Sequence, residues 1–143
     1  MKEDLLLTKA DKLLELGKLQ EAKEEYLNNN QKTHAAFVAI LDQNIPEALE
    51  LYLSAPHSAA KKWGLFLCDF FTNPKRAIPS PGVLAFRLYF ETTFSYCHEF
   101  GLTDYVKKFS DYANALVMLY PEYISDMEKV GRKVPLDLPD ALS

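Results

Sequence analysis

The stretch Ala10-Asp11-Lys12-Leu13-Leu14-Glu15-Leu16-Gly17-Lys18-Leu19-Gln20-Glu21-Ala22-Lys23-Glu24-Glu25-Tyr26-Leu27 returns, altered, twenty-six positions later as Ala36 to Leu53. Ala10 falls on Ala36, Glu21 on Glu47, Ala22 on Ala48, Glu24 on Glu50, Tyr26 on Tyr52 and Leu27 on Leu53; Leu14 meets Ile40 and Leu19 meets Ile45. Six identities in these eighteen pairs compare with roughly one expected from average composition. A unit that recurs at this spacing, with a turn inside it, points to stacked helical hairpins.

Inside each copy, apolar residues recur at intervals of three and four, the helical period. A helix over residues 3–16 puts Leu6, Ala10, Leu13 and Leu14 on one face, with Lys9, Lys12 and Glu15 elsewhere. Gly17 stops it, because glycine reaches the left-handed conformation at little steric cost. A second helix carries Leu19, Ala22, Tyr26 and Leu27 on one face and Gln20, Lys23 and Glu24 on the other, up to the turn-prone run Asn28 to Asn30. The second copy predicts helices over residues 33–42 and 46–55, with Gln43 where the glycine stood. Pro46 suits a first turn, whose N–H groups lack an internal partner anyway, and Pro56 closes the copy. Helices this short gain stability only by packing their apolar stripes on neighbours. Connections of a few residues make those neighbours antiparallel.

Farther along, the pattern predicts helices over residues 58–71, 81–100, 104–120 and 122–130. A loop over residues 73–80, rich in proline and basic residues, separates two halves, and Gly101 ends the helix before it. Gly131, Pro135 and Pro139 make residues 131–143 an extended tail whose Leu136, Leu138 and Leu142 are available to lie on the body. Alternating β-branched runs are not found. The expectation is an all-α chain: one helical-repeat domain over residues 1–130, then the tail.

The run from Leu13 to Ala22, followed by Tyr26, resembles the tetratricopeptide repeat. It has a small residue mid-way along the first helix (Ala10), a glycine turn (Gly17), an apolar residue opening the second helix (Leu19), a small residue at the crossing (Ala22) and an aromatic one turn later (Tyr26). Ala36, Ile45, Ala48 and Tyr52 reproduce the pattern. The types make physical sense, since alanines let two helix backbones approach and the tyrosine fills the space beside them. The family repeat is about 34 residues, eight more than the period here, so the helices are clipped. The clearest likeness covers residues 3–56; residues 90–121 share only length, the break at Gly101 and the closing proline. The resemblance implies antiparallel hairpins forming a short right-handed α-solenoid, and a protein that binds other proteins as an adaptor, scaffold or chaperone. It also implies a partner peptide or helix held in a concave groove lined by the first helices: Leu7, Asp11 and Glu15, then Thr33, Phe37 and Leu41, then Ala59, Trp63 and Leu67. Each set is spaced by four and so shares a face. Phe37 and Trp63 would be aromatic anchors, although aromatic residues at helical spacing are more often core.

A second reading rests on Phe86, Tyr89, Phe90, Phe94, Tyr96 and Phe100, which nearly encircle one helix. A helix apolar all round is either central or touches another chain, so a structural subunit that assembles with itself or a larger complex is the alternative.

The formal charge of −4 and pI near 5.4 offer no field to attract polyphosphate, which argues against nucleic acid. The charged start, Met1 to Asp4, lacks the features of a secretory signal, and no apolar stretch approaches the ~20 residues of a membrane span. The expectation is a soluble cytoplasmic protein with two cysteines, Cys68 and Cys97, as small buried apolar residues. Catalytic patterns are weak. Ser58 and Lys61 have serine-x-x-lysine spacing without companion motifs, so Ser58 reads as an N-cap. Cys97, His98 and Glu99 are consecutive, hence about 100° apart on a helix. His34, His57 and His98 are scattered, without metal-ligand spacing. No enzyme, metal or cofactor is expected. The basic cluster Lys61, Lys62, Lys75 and Arg76 reads as solvated surface.

Overall fold

The computed structural model describes residues 8–73, 86–119 and 121. Among them are seven α-helices and no strand: α1 (Lys9–Glu15), α2 (Leu19–Asn28), α3 (Lys32–Leu41), α4 (Ile45–Ser54), α5 (Ala59–Thr72), α6 (Arg87–Glu99) and α7 (Thr103–Leu119). The chain divides into two compact units, Met1–Thr72 and Asn73–Ser143. The predicted helix over residues 122–130, the tail with its leucines, and residues 74–85 lie outside the described residues.

In the first unit each helix packs on the next, from α1 through α5, and α3 also meets α5. One turn, made three times, sets this order. Gly17, Asn30 and Gln43 take φ of +78°, +59° and +62°. They stand thirteen residues apart, so the period of twenty-six is two equal steps. In each turn the left-handed residue donates its N–H three residues back, and the next N–H closes a wider ring. The Gly17 N–H donates to the Leu14 carbonyl at 2.9 Å and that of Lys18 to Leu13 at 2.9 Å. Asn30 and Gln31 repeat this on Leu27 and Tyr26, at 3.0 and 2.8 Å, as do Gln43 and Asn44 on Ile40 and Ala39, at 2.9 and 2.8 Å. The pattern satisfies carbonyls that a helix end would otherwise leave unpaired. Gln43 therefore replaces a glycine in identity but not in conformation, at a cost of about 1–2 kcal/mol for a left-handed residue bearing a Cβ.

Packing follows the sequence repeat. Ala10, Ala22, Ala36 and Ala48 are all 0% exposed, and Tyr26 and Tyr52 are both 2% exposed. Leu14, Ile40 and Ile45 are buried and Leu19 is half-buried. Side chains as small as alanine at fully buried positions let packed helix backbones approach closely.

Several expectations are corrected. The helix expected over residues 3–16 is not continuous: Thr8 is extended and caps a helix over Lys9–Glu15, with Thr8 and Asp11 forming a reciprocal capping box, and residues 3–7 lie outside the described residues. Of the helix expected over residues 81–100, Arg87–Glu99 is α-helical, and residues 81–85 lie outside the described residues. Leu27, placed on the apolar stripe, and its counterpart Leu53 are exposed, because each lies one residue past its buried tyrosine and is turned about 100° away. Lys23, placed on the polar face, is buried. Its Nζ donates to Glu47 Oε1 at 2.6 Å, linking α2 to α4.

Helix α5 begins after Ser58, whose hydroxyl accepts the Lys61 N–H at 3.1 Å, the capping role expected for it. Gly64 lies in mid-helix because the buried Tyr52 ring rests on its backbone; a Cβ there would fall inside that ring. Along α5, Trp63 stacks on Phe66 with centroids 5.2 Å apart, and Phe66 on Phe70 at 5.6 Å.

In the second unit α6 packs on α7 through another turn of the same kind, with Gly101 at φ +70°. The Gly101 and Leu102 N–H groups donate to His98 and Cys97 at 3.1 and 2.9 Å. Phe90 meets Phe109 edge-on at 5.1 Å and Tyr112 at 6.3 Å. Of the six aromatic residues expected to encircle this helix, Phe90 alone is fully buried; Phe86, Phe94, Tyr96 and Phe100 are half-buried and Tyr89 is exposed.

Candidate functional site

The stripe expected to line a groove breaks up once burial is considered. Leu7 lies outside the described residues. Asp11, Thr33 and Phe37 are half-buried and Glu15 is exposed. Leu41 and Trp63 are 1% and 2% exposed, and Leu67 is also buried. These last three are core residues, a correction that removes Trp63 as an anchor. Burial on α3 explains the change. Ala35, Ala36, Val38, Ala39, Ile40 and Leu41 are all buried, and six residues in a span of seven cover every direction around a helix. Only Thr33, His34 and Phe37, toward its start, keep accessible surface beyond that of Lys32.

The accessible remnant is therefore a small patch where α1, α2 and α3 meet. The Tyr26 hydroxyl of α2 donates to Asp11 Oδ1 of α1. The Thr8 N–H donates to Asp11 Oδ2 at 3.1 Å, and the Asp11 N–H to the Thr8 hydroxyl at 3.2 Å. His34 of α3 lies over the Tyr26 ring with centroids 5.1 Å apart. Partial burial pushes the Asp11 carboxyl up, but the Tyr26 hydroxyl, the Thr8 backbone and hydroxyl, and the nearby His34 together hold it below the usual carboxylate range. The patch thus joins a fixed carboxylate, an exposed imidazole, the Thr33 hydroxyl and the Phe37 ring, with Glu15 one turn beyond Asp11.

The residues considered for catalysis stand apart. The Lys61 ammonium does not approach the Ser58 hydroxyl; it donates to the Ala55 carbonyl at 2.9 Å and the Leu53 carbonyl at 3.4 Å, closing the end of α4. Cys97 is buried while His98 and Glu99 are exposed. Both cysteines are free thiols. Burial pushes Cys68 up to about 11 and Cys97 to about 12, which keeps both protonated and poorly nucleophilic near neutrality. Burial, with Cys68 adding to it, likewise raises the Tyr52 phenol. Among the described residues no three His, Cys, Asp or Glu side chains converge in a way that could hold a metal, and no helix is long and apolar enough to cross a membrane. Lys75 and Arg76 of the basic cluster lie outside the described residues.

Sequence reasoning missed Lys23–Glu47, Gly64 and the role of Asp11 as an acceptor. Only Gly64 carried a local signal, a glycine inside a strongly helical pattern. Compared with protein-family models, with curated proteins and with solved structures, the chain matches none of them.

Proposed function

We propose that this chain is a protein-binding module built as a short right-handed array of antiparallel hairpins of the tetratricopeptide kind. In this reading it holds a partner peptide or helix against the first helices of its hairpins. The observation that carries it is the agreement between sequence repeat and packing: the four alanines and two tyrosines that align at twenty-six residues are equally buried in both copies. Stacked hairpins of this type offer an extended surface of separate side chains rather than one deep cavity. The contacts available to a partner are Glu15, Thr33, His34 and Phe37, with Asp11 held in place by Tyr26. Affinity capture from native cells tests the reading, with Phe37→Ala and Glu15→Lys made separately and helicity checked by circular dichroism. Loss of the same partner from both variants supports the patch. Unchanged capture by two folded variants removes it.

The second reading, a subunit that assembles through its aromatic half, is favoured by one feature of the α6–α7 hairpin. Leu88 at the start of α6 and Met118 and Leu119 at the end of α7 are 65%, 76% and 60% exposed, and the short Gly101 turn brings those two helix ends together. Light scattering on a size-exclusion column distinguishes the readings: a monomer at micromolar concentration argues against obligate self-assembly.

A further inference from the structure

The second helices of the two hairpins repeat more than their buried residues. Glu24 and Leu27 on α2 are both exposed, and so are their counterparts Glu50 and Leu53 on α4. In each helix the glutamate and leucine are three residues apart, hence on one face. Leu49, one turn before Leu53, is exposed beside them. Lys23 Nζ of α2 reaches Glu47 of α4 at 2.6 Å, so the two helices stand within one lysine side chain of each other, close enough for a single partner helix to span both Glu-Leu pairs. An isolated exposed leucine needs no explanation. Two at equivalent repeat positions, each with the same acidic neighbour, do.

The charge on this surface is one-sided. Between them α2 and α4 carry five glutamates and one lysine, and that lysine is buried and committed to Glu47. Glu25 is 4.0 Å from Lys9, and Glu24 accepts from Gln20 at 3.2 Å; among the described residues neither Glu24 nor Glu50 has a cationic partner. Two cations stand at the ends of these helices. Lys18 is the N-terminal cap of α2, and the Lys61 ammonium is tied to the carbonyls of Leu53 and Ala55.

We propose that this face of α2 and α4 docks a cationic amphipathic helix from a partner protein, with its apolar stripe on Leu27, Leu49 and Leu53 and its lysines or arginines against Glu24 and Glu50. Charge selects that occupant. A second copy of this chain docking by the same face would meet Glu24 and Glu50 with its own glutamates, and like charges across an interface are strongly disfavoured. The surface is separate from the Asp11–Phe37 patch, so either can fail without the other.

The test uses the full chain and a labelled synthetic amphipathic helix of leucine and lysine, with a counterpart bearing glutamate for every lysine. Fluorescence anisotropy measures affinity and amide chemical shifts map the contact. The lysine helix should bind and shift α2 and α4 amides. Glu24→Lys/Glu50→Lys should weaken it by about tenfold or more, as expected for lost charge complementarity, and Leu27→Ser/Leu53→Ser by about fivefold or more. Glu99→Lys/Asp104→Lys, which makes the same change in net charge elsewhere, should leave it within about twofold if the attraction is local. The proposal is overturned if both charge variants weaken binding alike, if the glutamate helix binds as well, or if the shifts fall on Glu15, Thr33 and Phe37. It is also overturned if the protein dimerises and Leu27→Ser/Leu53→Ser abolishes the dimer, since the occupant would then be a second copy.

Discussion

The hairpin α1–α2 and the hairpin α3–α4 share their buried alanines and tyrosines, yet around that common frame they use different chemistry. Where the first has Gly17 in a left-handed turn, the second has Gln43 in the same turn. Where the first has Lys23, held by Glu47, the second has an exposed Leu49. Tyr26 directs its hydroxyl to Asp11, while Tyr52 lays its ring on Gly64 and donates no hydrogen bond among the described residues. The comparison separates what the hairpin geometry demands, small residues at crossings and one ring beside them, from what each copy adds by way of neighbours. Its consequences can be measured through Trp63, the single tryptophan, which is buried in the first unit and reports its unfolding in urea.

The largest effect should come from Gly64→Ala. The new methyl group would collide with a ring that is 2% exposed, and overpacking of this sort costs about 2–3 kcal/mol even after the better helix propensity of alanine. Next is Glu47→Ala, which strands the Lys23 ammonium, 8% exposed, at about 2 kcal/mol. Lys23→Met, which removes charge and partner need together, should stay within about 1 kcal/mol of the parent. If the stranded lysine costs nothing, the link between α2 and α4 is ornamental.

Tyr26→Phe should cost about 1.5 kcal/mol near neutrality, as for a hydrogen bond to a carboxylate, and Tyr52→Phe about 0.5 kcal/mol or less. The Tyr26 penalty depends on pH. Asp11 titrates below its ordinary value of 3.8 in the folded chain, so its contribution is complete above that value and disappears as pH falls through the lower folded one. Urea midpoints of the parent and Tyr26→Phe should therefore converge in strong acid, and a gap that stays constant from neutrality to pH 2 rules out the carboxylate as the acceptor. The smallest effect is a gain. Gln43→Gly should stabilise by about 1 kcal/mol by relieving a left-handed glutamine, and Gly17→Gln, with nothing near its Cβ, should lose a similar amount.

Much of the helical frame was legible because it depends on local pattern. Alanine and tyrosine at a spacing of twenty-six, Pro46 in a first turn, Ser58 as a cap and Gly101 as a stop all act within a few residues of where they stand. What the pattern misplaced depends on neighbours far along the chain. Its charge assigns Lys23 to water although it stands four residues after Leu19 and three before Tyr26, beside the apolar stripe, and nothing near it in sequence shows that Glu47, twenty-four residues on, supplies its partner. The stripe of Leu41, Trp63 and Leu67 reads equally as groove or core, because spacing fixes which residues share a face and not what lies against it. Phe37 kept its surface only because it stands in the part of α3 that its neighbours leave partly open.

The claim that the two hairpins are one packing solution used twice is tested most directly by Ala22→Leu and Ala48→Leu, each followed by the Trp63 urea transition. Overfilling a crossing that is 0% exposed should cost about 2–3 kcal/mol in both, with the two values within about 1 kcal/mol of each other. A normal transition in either variant would contradict it, because that alanine would then not be holding two backbones together.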